Sequence, residues 1–306
     1  MNSGATPVLG IFAHTGKDGL VEHIVPLLRF LRKRNVPYLV EYDLAAVLPS
    51  SFVGKGESST AATRDDIARN ADVVITFGGD GTMLAAARVV QQYETPLLGV
   101  NLGKLGFLAD IATEDVLPAV EQLLQGTYRI EKRMTLTAVD LHRKARYRAL
   151  NDIVLSKGGM ARVLRIETFV NGDFLATFLA DGLILATPTG STAYSLATGG
   201  PIVVPSSNVI VLSPISAHAL TARPIILPGD SEITLQTTVE GEGSVMVMAD
   251  GVYFRVADTE AALSVRRGSK PVNLVKDIGP NYFEMLRTKL SWAQDRRFEN
   301  SVPGSE

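Results

Sequence analysis

The sequence predicts an α/β N-terminal domain with a parallel sheet, then an all-β C-terminal domain, then a last helix that packs back on the first domain. Three observations carry this. Up to about residue 127, apolar β-branched runs alternate with helical stripes, the pattern of a parallel sheet covered on both faces. From 128 to about 276 the runs are short and alternating, with two strong turn signals. The segment 281–292, NYFEMLRTKLSW, reads as a helix whose apolar face needs a partner. The predicted divisions are therefore 1–127, 128–276 and 277–306.

The elements follow in order. Residues 8–13, VLGIFA, read as a buried strand. Leu20, Ile24, Leu27, Leu28 and Leu31 form a helical stripe over 19–34, and Lys33 and Arg34 suit its C-terminal end. Pro26 inside that stripe predicts a kink or a late start. Residues 38–43 read as a second strand, and the small, polar, Gly-rich stretch 50–63 as a mobile loop. A short helix (64–70), a strand (73–77), a helix (82–93), a strand (96–101) and a helix (113–125) complete the first domain. In the second, Asn171-Gly172 and Asp250-Gly251 each sit between β-prone runs and predict tight hairpins.

Composition narrows the function. The chain has 306 residues with 46% hydrophobic and 20% charged, enough for two packed cores. A net charge of −2 argues against a dedicated nucleic-acid or membrane-surface binder. The absence of cysteine excludes disulfides, thiol nucleophiles and zinc–thiolate sites. No apolar run is long enough to span a bilayer, and the N-terminus lacks the pattern of a signal peptide, so a cytoplasmic protein is expected.

Three stretches carry chemistry. In VVITFGGDGTMLAAARVV, residues 73–90, three glycines and a carboxylate stand where a strand hands over to a helix. Gly78, Gly79 and Gly81 let the backbone approach a phosphate closely, and the helix N-terminus offers unpaired N–H groups. Asp80 would repel a phosphate, so it reads as a general base for an attacking hydroxyl, as a metal holder, or as a plain helix cap. In 187–194, TPTGSTAY, five hydroxyl side chains crowd eight positions, too many for a core without partners. That stretch reads as a polar wall for ribose or phosphate with Tyr194 to stack on a base, or as a capped corner. Asn151-Asp152 suits the hydroxyl pair and base edge of a nucleoside, and equally suits a turn.

Taken together, GGDGT at 78–82, NLGKLGFL at 101–108, Asn151-Asp152, DGLILATPTGSTAYSLATGGP at 181–201 and HALTARP at 218–224 resemble the NAD kinase family, in the family's order. GGDGT alone is shared with diacylglycerol and sphingosine kinases and with phosphofructokinases; the long fourth element is the specific one. The resemblance implies transfer of the terminal phosphoryl of ATP, or of polyphosphate, to the 2′-hydroxyl of the adenosine ribose of NAD, giving NADP, with a divalent cation such as Mg²⁺. It makes Asp80 the base, with Gly78, Gly79 and Gly81 lining the same site. It puts Asn151 and Asp152 on the adenosine part of NAD, Asp181 near the nicotinamide end, and Thr192, Ala193, Tyr194, Ser195, Leu196 and Ala197 around the adenine. Arg162 falls where members place a basic contact. Homodimers or homotetramers are usual in the family.

Overall fold

The structure, a computed structural model, describes residues 6–53, 59–103, 105–159, 163–240, 243–257, 260–276 and 278–292. It divides into two compact units, Met1–Glu131 with Asn273–Glu306, and Lys132–Val272.

The first unit is built on an eight-stranded sheet. Its order is Ser59–Ala62, Tyr38–Glu41, Leu9–Ala13, Val73–Gly78, Leu97–Asn101, Val272–Lys276 and Arg129–Arg133, with Ile111–Ala112 beside Leu97–Asn101. The central pairs are parallel. Leu9–Ala13, Val73–Gly78 and Leu97–Asn101 are buried along their whole length, because helices cover both faces. The helix Leu20–Lys33 buries its predicted stripe of Leu20, Ile24, Leu27, Leu28 and Leu31. Pro26 lies inside it without breaking it: Pro26 and Glu22, whose carbonyl loses its N–H partner, both lie on the exposed side, where water replaces the bond.

Two expectations are corrected here. The stretch read as a loop over 50–63 holds a short 3-10 turn at Ser50–Phe52 and a strand at Ser59–Ala62, which pairs with Tyr38–Glu41; residues 54–58 lie outside the described residues. Small residues suit an edge strand that packs little side-chain volume, so the hydrophobic pattern did not mark it. The second strand also ends early, at Glu41, and a short helix, Tyr42–Val47, follows.

The last helix, Tyr282–Leu290, belongs to this first unit. It opens on a capping box in which Asn281 accepts the N–H groups of Phe283 and Glu284 while Glu284 reaches back to the Asn281 N–H. Met285 and Leu286 are buried, and the Lys289 ammonium lies 5.9 Å from the centre of the Phe107 ring.

The second unit holds two six-stranded antiparallel sheets. One runs Ile225–Pro228, Val209–Ile215, Gly182–Ala186, Asp152–Gly158, Ser244–Ala249, Val252–Ala257. The other runs Asp173–Ala180, Val163–Val170, Ile233–Glu240, Glu260–Arg267, Leu136–Asp140, Arg146–Ala149. Residues of both sheets meet in one core, among them Leu136, Ile153, Leu164, Leu183, Val247 and Leu263. Both predicted hairpins form. Asn171 and Gly172 have φ of 52° and 91°, Asp250 and Gly251 φ of 47° and 78°, as a two-residue turn that matches strand twist requires.

Candidate active site

The strand Val73–Gly78 passes through Gly79 directly into the helix Asp80–Val90. Gly78 must be glycine, because a Cβ there would lie 2.2 Å from the Thr82 hydroxyl. At Gly79 and Gly81 a Cβ would meet nothing within 4 Å: both border open space. That space is a concavity of about 530 Å³, also lined by His14, Lys17, Asp43, Arg64 and Thr82. Arg64 is aimed by a two-point ion pair with the buried Glu41, at 2.5 and 3.1 Å, and lies over the Phe12 ring.

Asp80 does not cap its own helix. Its carboxylate reaches across to a loop instead. Oδ2 accepts the N–H of Phe107 at 2.9 Å, and Oδ1 accepts those of Leu108 and Ala109 at 2.9 and 3.1 Å. A carboxylate offers about four acceptor positions, so these bonds leave Oδ2 the oxygen with room for a further donor.

The second unit holds the other predicted residues that are described. Asp250, in its left-handed turn, accepts the N–H groups of Leu150, Asn151 and Asp152 at 2.8, 2.7 and 3.3 Å. From the other side the Thr187 hydroxyl donates to the Leu150 carbonyl at 2.6 Å, and the Thr187 N–H to the Asn151 carbonyl at 2.8 Å. The backbone at Asn151 is thus gripped on both faces, while its side-chain Oδ1 is buried without a partner. Such an atom is costly unless a ligand or water supplies a donor.

Much of the hydroxyl-rich wall has work inside the protein. Ser191 donates to the Pro188 carbonyl at 2.7 Å and accepts the Val203 N–H at 2.9 Å. Ser195 pairs with Ser213 at 3.1 Å, and Thr192 donates to the Thr189 carbonyl at 3.3 Å. The buried guanidinium of Arg133 reaches the Thr189 hydroxyl at 3.3 Å. These bonds shape a 3-10 turn, Thr189–Thr192, and a short helix, Tyr194–Ala197. Ser195 is buried, Thr192, Ala193 and Leu196 are half-buried, and Tyr194 and Ala197 are exposed. Tyr194 therefore has a free face to offer. Asp181 is paired with Lys157 at 2.6 Å, and Arg162 lies outside the described residues. Sequence reasoning missed Asp250, Arg133, Lys157 and Arg64. Only Asp250 had left a trace, as a turn residue.

Burial, reinforced by the neighbouring Asp250 carboxylate, pushes the Asp152 carboxyl up to about 7 from an ordinary 3.8. Between those values the folded protein holds a proton that the unfolded chain has lost. Folding stability from this group therefore falls as pH rises from 3.8 to about 7, and stays lowered above that. Asp152→Asn should flatten the pH dependence of stability by on the order of a few kcal/mol between roughly pH 4 and 8. Denaturant melts of both proteins at several pH values check this; parallel curves would remove the assignment.

The chain matches the ATP-NAD kinase N-terminal domain over residues 9–128 and the ATP-NAD kinase C-terminal domain over residues 150–277. The chain belongs to the NAD kinase family. The NAD kinase of Geotalea daltonii is 40% identical over 94% of this chain and 99% of its own length. That of Gemmatimonas aurantiaca is 38% identical over 93% and 96%. The crystal structure of yeast NADH kinase complexed with NADH superposes with a TM-score of 0.83 at 25% identity, covering 99% of this chain and 91% of that one. An NAD kinase from Archaeoglobus fulgidus, solved with ATP, shares the fold at a TM-score of 0.70 and 21% identity, over 93% of this chain and 99% of that one. As a member of the NAD kinase family the chain is a phosphotransferase with an N-terminal α/β domain and a C-terminal antiparallel β domain. No helix among the described residues is long and apolar enough to cross a membrane.

Proposed function

We propose that this kinase transfers the terminal phosphoryl of ATP, or of inorganic polyphosphate, to the 2′-hydroxyl of the adenosine ribose of NAD, giving NADP. The observation that carries the reading is the Asp80 carboxylate. It is held by three amides with acceptor capacity left on Oδ2, and it stands between two glycines that line a concavity bordered by Lys17 and Arg64. The ribose hydroxyl gives its proton to Asp80 as its oxygen bonds to the terminal phosphorus. The bond from that phosphorus to its bridging oxygen breaks, and the departing ADP or shortened polyphosphate keeps the electron pair. Gly79 and Gly81 admit the donor phosphates, and Lys17 and Arg64 balance their charge.

Among the described residues no group of three or more acidic or histidine side chains stands ready to hold a metal. Mg²⁺ needs only one or two carboxylates when phosphates and water complete its shell. The donor set therefore fits a cation carried in by the donor phosphates, with Asp43 the acidic side chain on the concavity. Such a cation would neutralise charge on the transferred group.

In the second unit, Asn151 and Asp152 take the adenosine of NAD, Asp181 the nicotinamide end, and the 192–197 segment the adenine. The partnerless Asn151 Oδ1 supports a ligand there. Tyr194→Ala should weaken NAD binding by roughly 1–3 kcal/mol, the worth of a base stacked on an aromatic ring, and leave ATP binding unchanged. Titration calorimetry with each nucleotide reads this. Equal NAD affinity in both proteins would return Tyr194 to a surface role.

The reading itself is tested by incubating the purified protein with NAD, Mg²⁺ and either ATP or polyphosphate. Phosphorus NMR of the product then distinguishes a 2′- from a 3′-phosphate. A 3′-product, or none with either donor, overturns the proposal.

A further inference from the structure

We infer that the loop Gly106–Asp110 is the positioning element of the Asp80 carboxylate, and that Lys276, on the returning C-terminal strand, braces that loop from behind. The inference rests on Asp80 acting as the base.

The loop meets Asp80 too closely to be incidental. A Cβ on Gly106 would lie 2.0 Å from Asp80 Oδ1 and 2.8 Å from its Cγ, so glycine alone lets the carboxylate reach the amides beyond. The amides of Phe107, Leu108 and Ala109 then hold both oxygens, which fixes the plane of the carboxylate and the direction of the remaining acceptor position on Oδ2. A general base works only when that direction is correct, so whatever fixes the loop fixes the base.

Several contacts among the described residues fix the loop. The Gly106 N–H donates to the Ala109 carbonyl at 2.9 Å and closes the turn. Asn101, buried at the end of its strand, donates to that carbonyl at 3.3 Å and accepts the Gly103 N–H at 2.7 Å. Gly99 on the same strand lets the loop sit flush, since a Cβ there would lie 2.8 Å from Ala109 Cα. Another contact comes from far along the chain. Lys276 forms an ion pair with the buried Asp110, the residue that follows the last amide. Its strand, Val272–Lys276, is paired to Leu97–Asn101 through Leu274 and Leu97. The return of the C-terminal segment to the first unit thus has a use beyond burying apolar surface: it sets the back wall of the site.

The test is a series at Lys276, with Arg, Gln and Met, read against amide hydrogen exchange at Phe107, Leu108 and Ala109. Lys276→Arg keeps the charge and should restore kcat. Lys276→Gln should lower kcat and Lys276→Met should lower it by about tenfold or more, with the NAD dissociation constant within about twofold of the parent. The pH profile of kcat should change in the same order, and the three amides should exchange faster in step. A purely structural role would lower the fraction of active protein and leave kcat per active site and the pH profile unchanged; that result overturns the inference. Arg and Gln retain a donor to Asp110, so the series still decides if the Met variant fails to fold. Failure of the underlying reading looks different: Asp80→Asn would then keep its turnover, whatever the Lys276 series did.

Discussion

Asp80→Asn is expected to lower the turnover number by roughly 10²–10⁴-fold, the usual worth of a positioned base, with NAD affinity within about twofold of the parent. The amide keeps the size and removes the proton acceptor. The geometry adds a second effect. Asparagine can keep its oxygen on the Leu108 and Ala109 amides, but its NH₂ then faces the Phe107 N–H, donor against donor. One half-buried bond is lost, so stability should fall by about 1 kcal/mol as well. The two effects separate by experiment. A thermal melt reads the stability loss, calorimetry shows that NAD still binds, and steady-state rates on the folded variant read the chemistry. Turnover near that of the parent in a folded, NAD-binding variant would remove Asp80 from its role. If turnover is lost only in proportion to folded protein, Asp80 is a structural tie for the 106–110 loop and not the base.

What could be read in advance follows from where the information lies in the chain. The parallel strands were legible because burial on both faces writes an unbroken apolar run, as in VVITF before the glycines. Both hairpins were legible because a positive φ at two successive residues leaves few choices beyond Asn-Gly and Asp-Gly. Ser59–Ala62 was not, because an edge strand of small residues looks like a loop. The site divides the same way. Its glycines stood out in the sequence as three in four residues where a strand meets a helix. Its long-range ties did not. Asp80 is held by backbone amides 27 to 29 residues away, and Asp250 holds amides about a hundred residues back. A backbone N–H has no residue type, so no pattern of letters records such a bond. The hydroxyls of 187–195 were visible as polar residues needing partners. That most of those partners are inside the protein depends on a turn geometry the letters do not carry.

Gly190→Ala is expected to weaken NAD binding by about 10–100-fold, the equivalent of roughly 1–3 kcal/mol of overpacking. A Cβ at this position would lie 2.1 Å from the Asn151 carbonyl oxygen, 2.4 Å from its carbon and 2.7 Å from its Cα. All three are backbone atoms, so no flexible side chain can swing away. Asn151 cannot yield cheaply, because its N–H is held by Asp250 and its carbonyl by the Thr187 N–H. The turn Thr189–Thr192 cannot yield cheaply either, because the Gly190 N–H is bonded to the Thr187 hydroxyl at 3.0 Å and Ser191 ties the next residue to Val203. One side must move, and either movement separates the Asn151 side chain from the segment that leads to Tyr194. The effect should therefore fall on NAD and not on the donor. ATP or polyphosphate affinity, which depends on the concavity beside Gly79 and Gly81, should be unchanged. Calorimetric titration of the variant with each ligand, alongside a thermal melt, reads all three quantities. Parent-like NAD affinity with a lowered melting temperature would mean that the close approach serves only folding, and that Asn151 does not face the nucleotide.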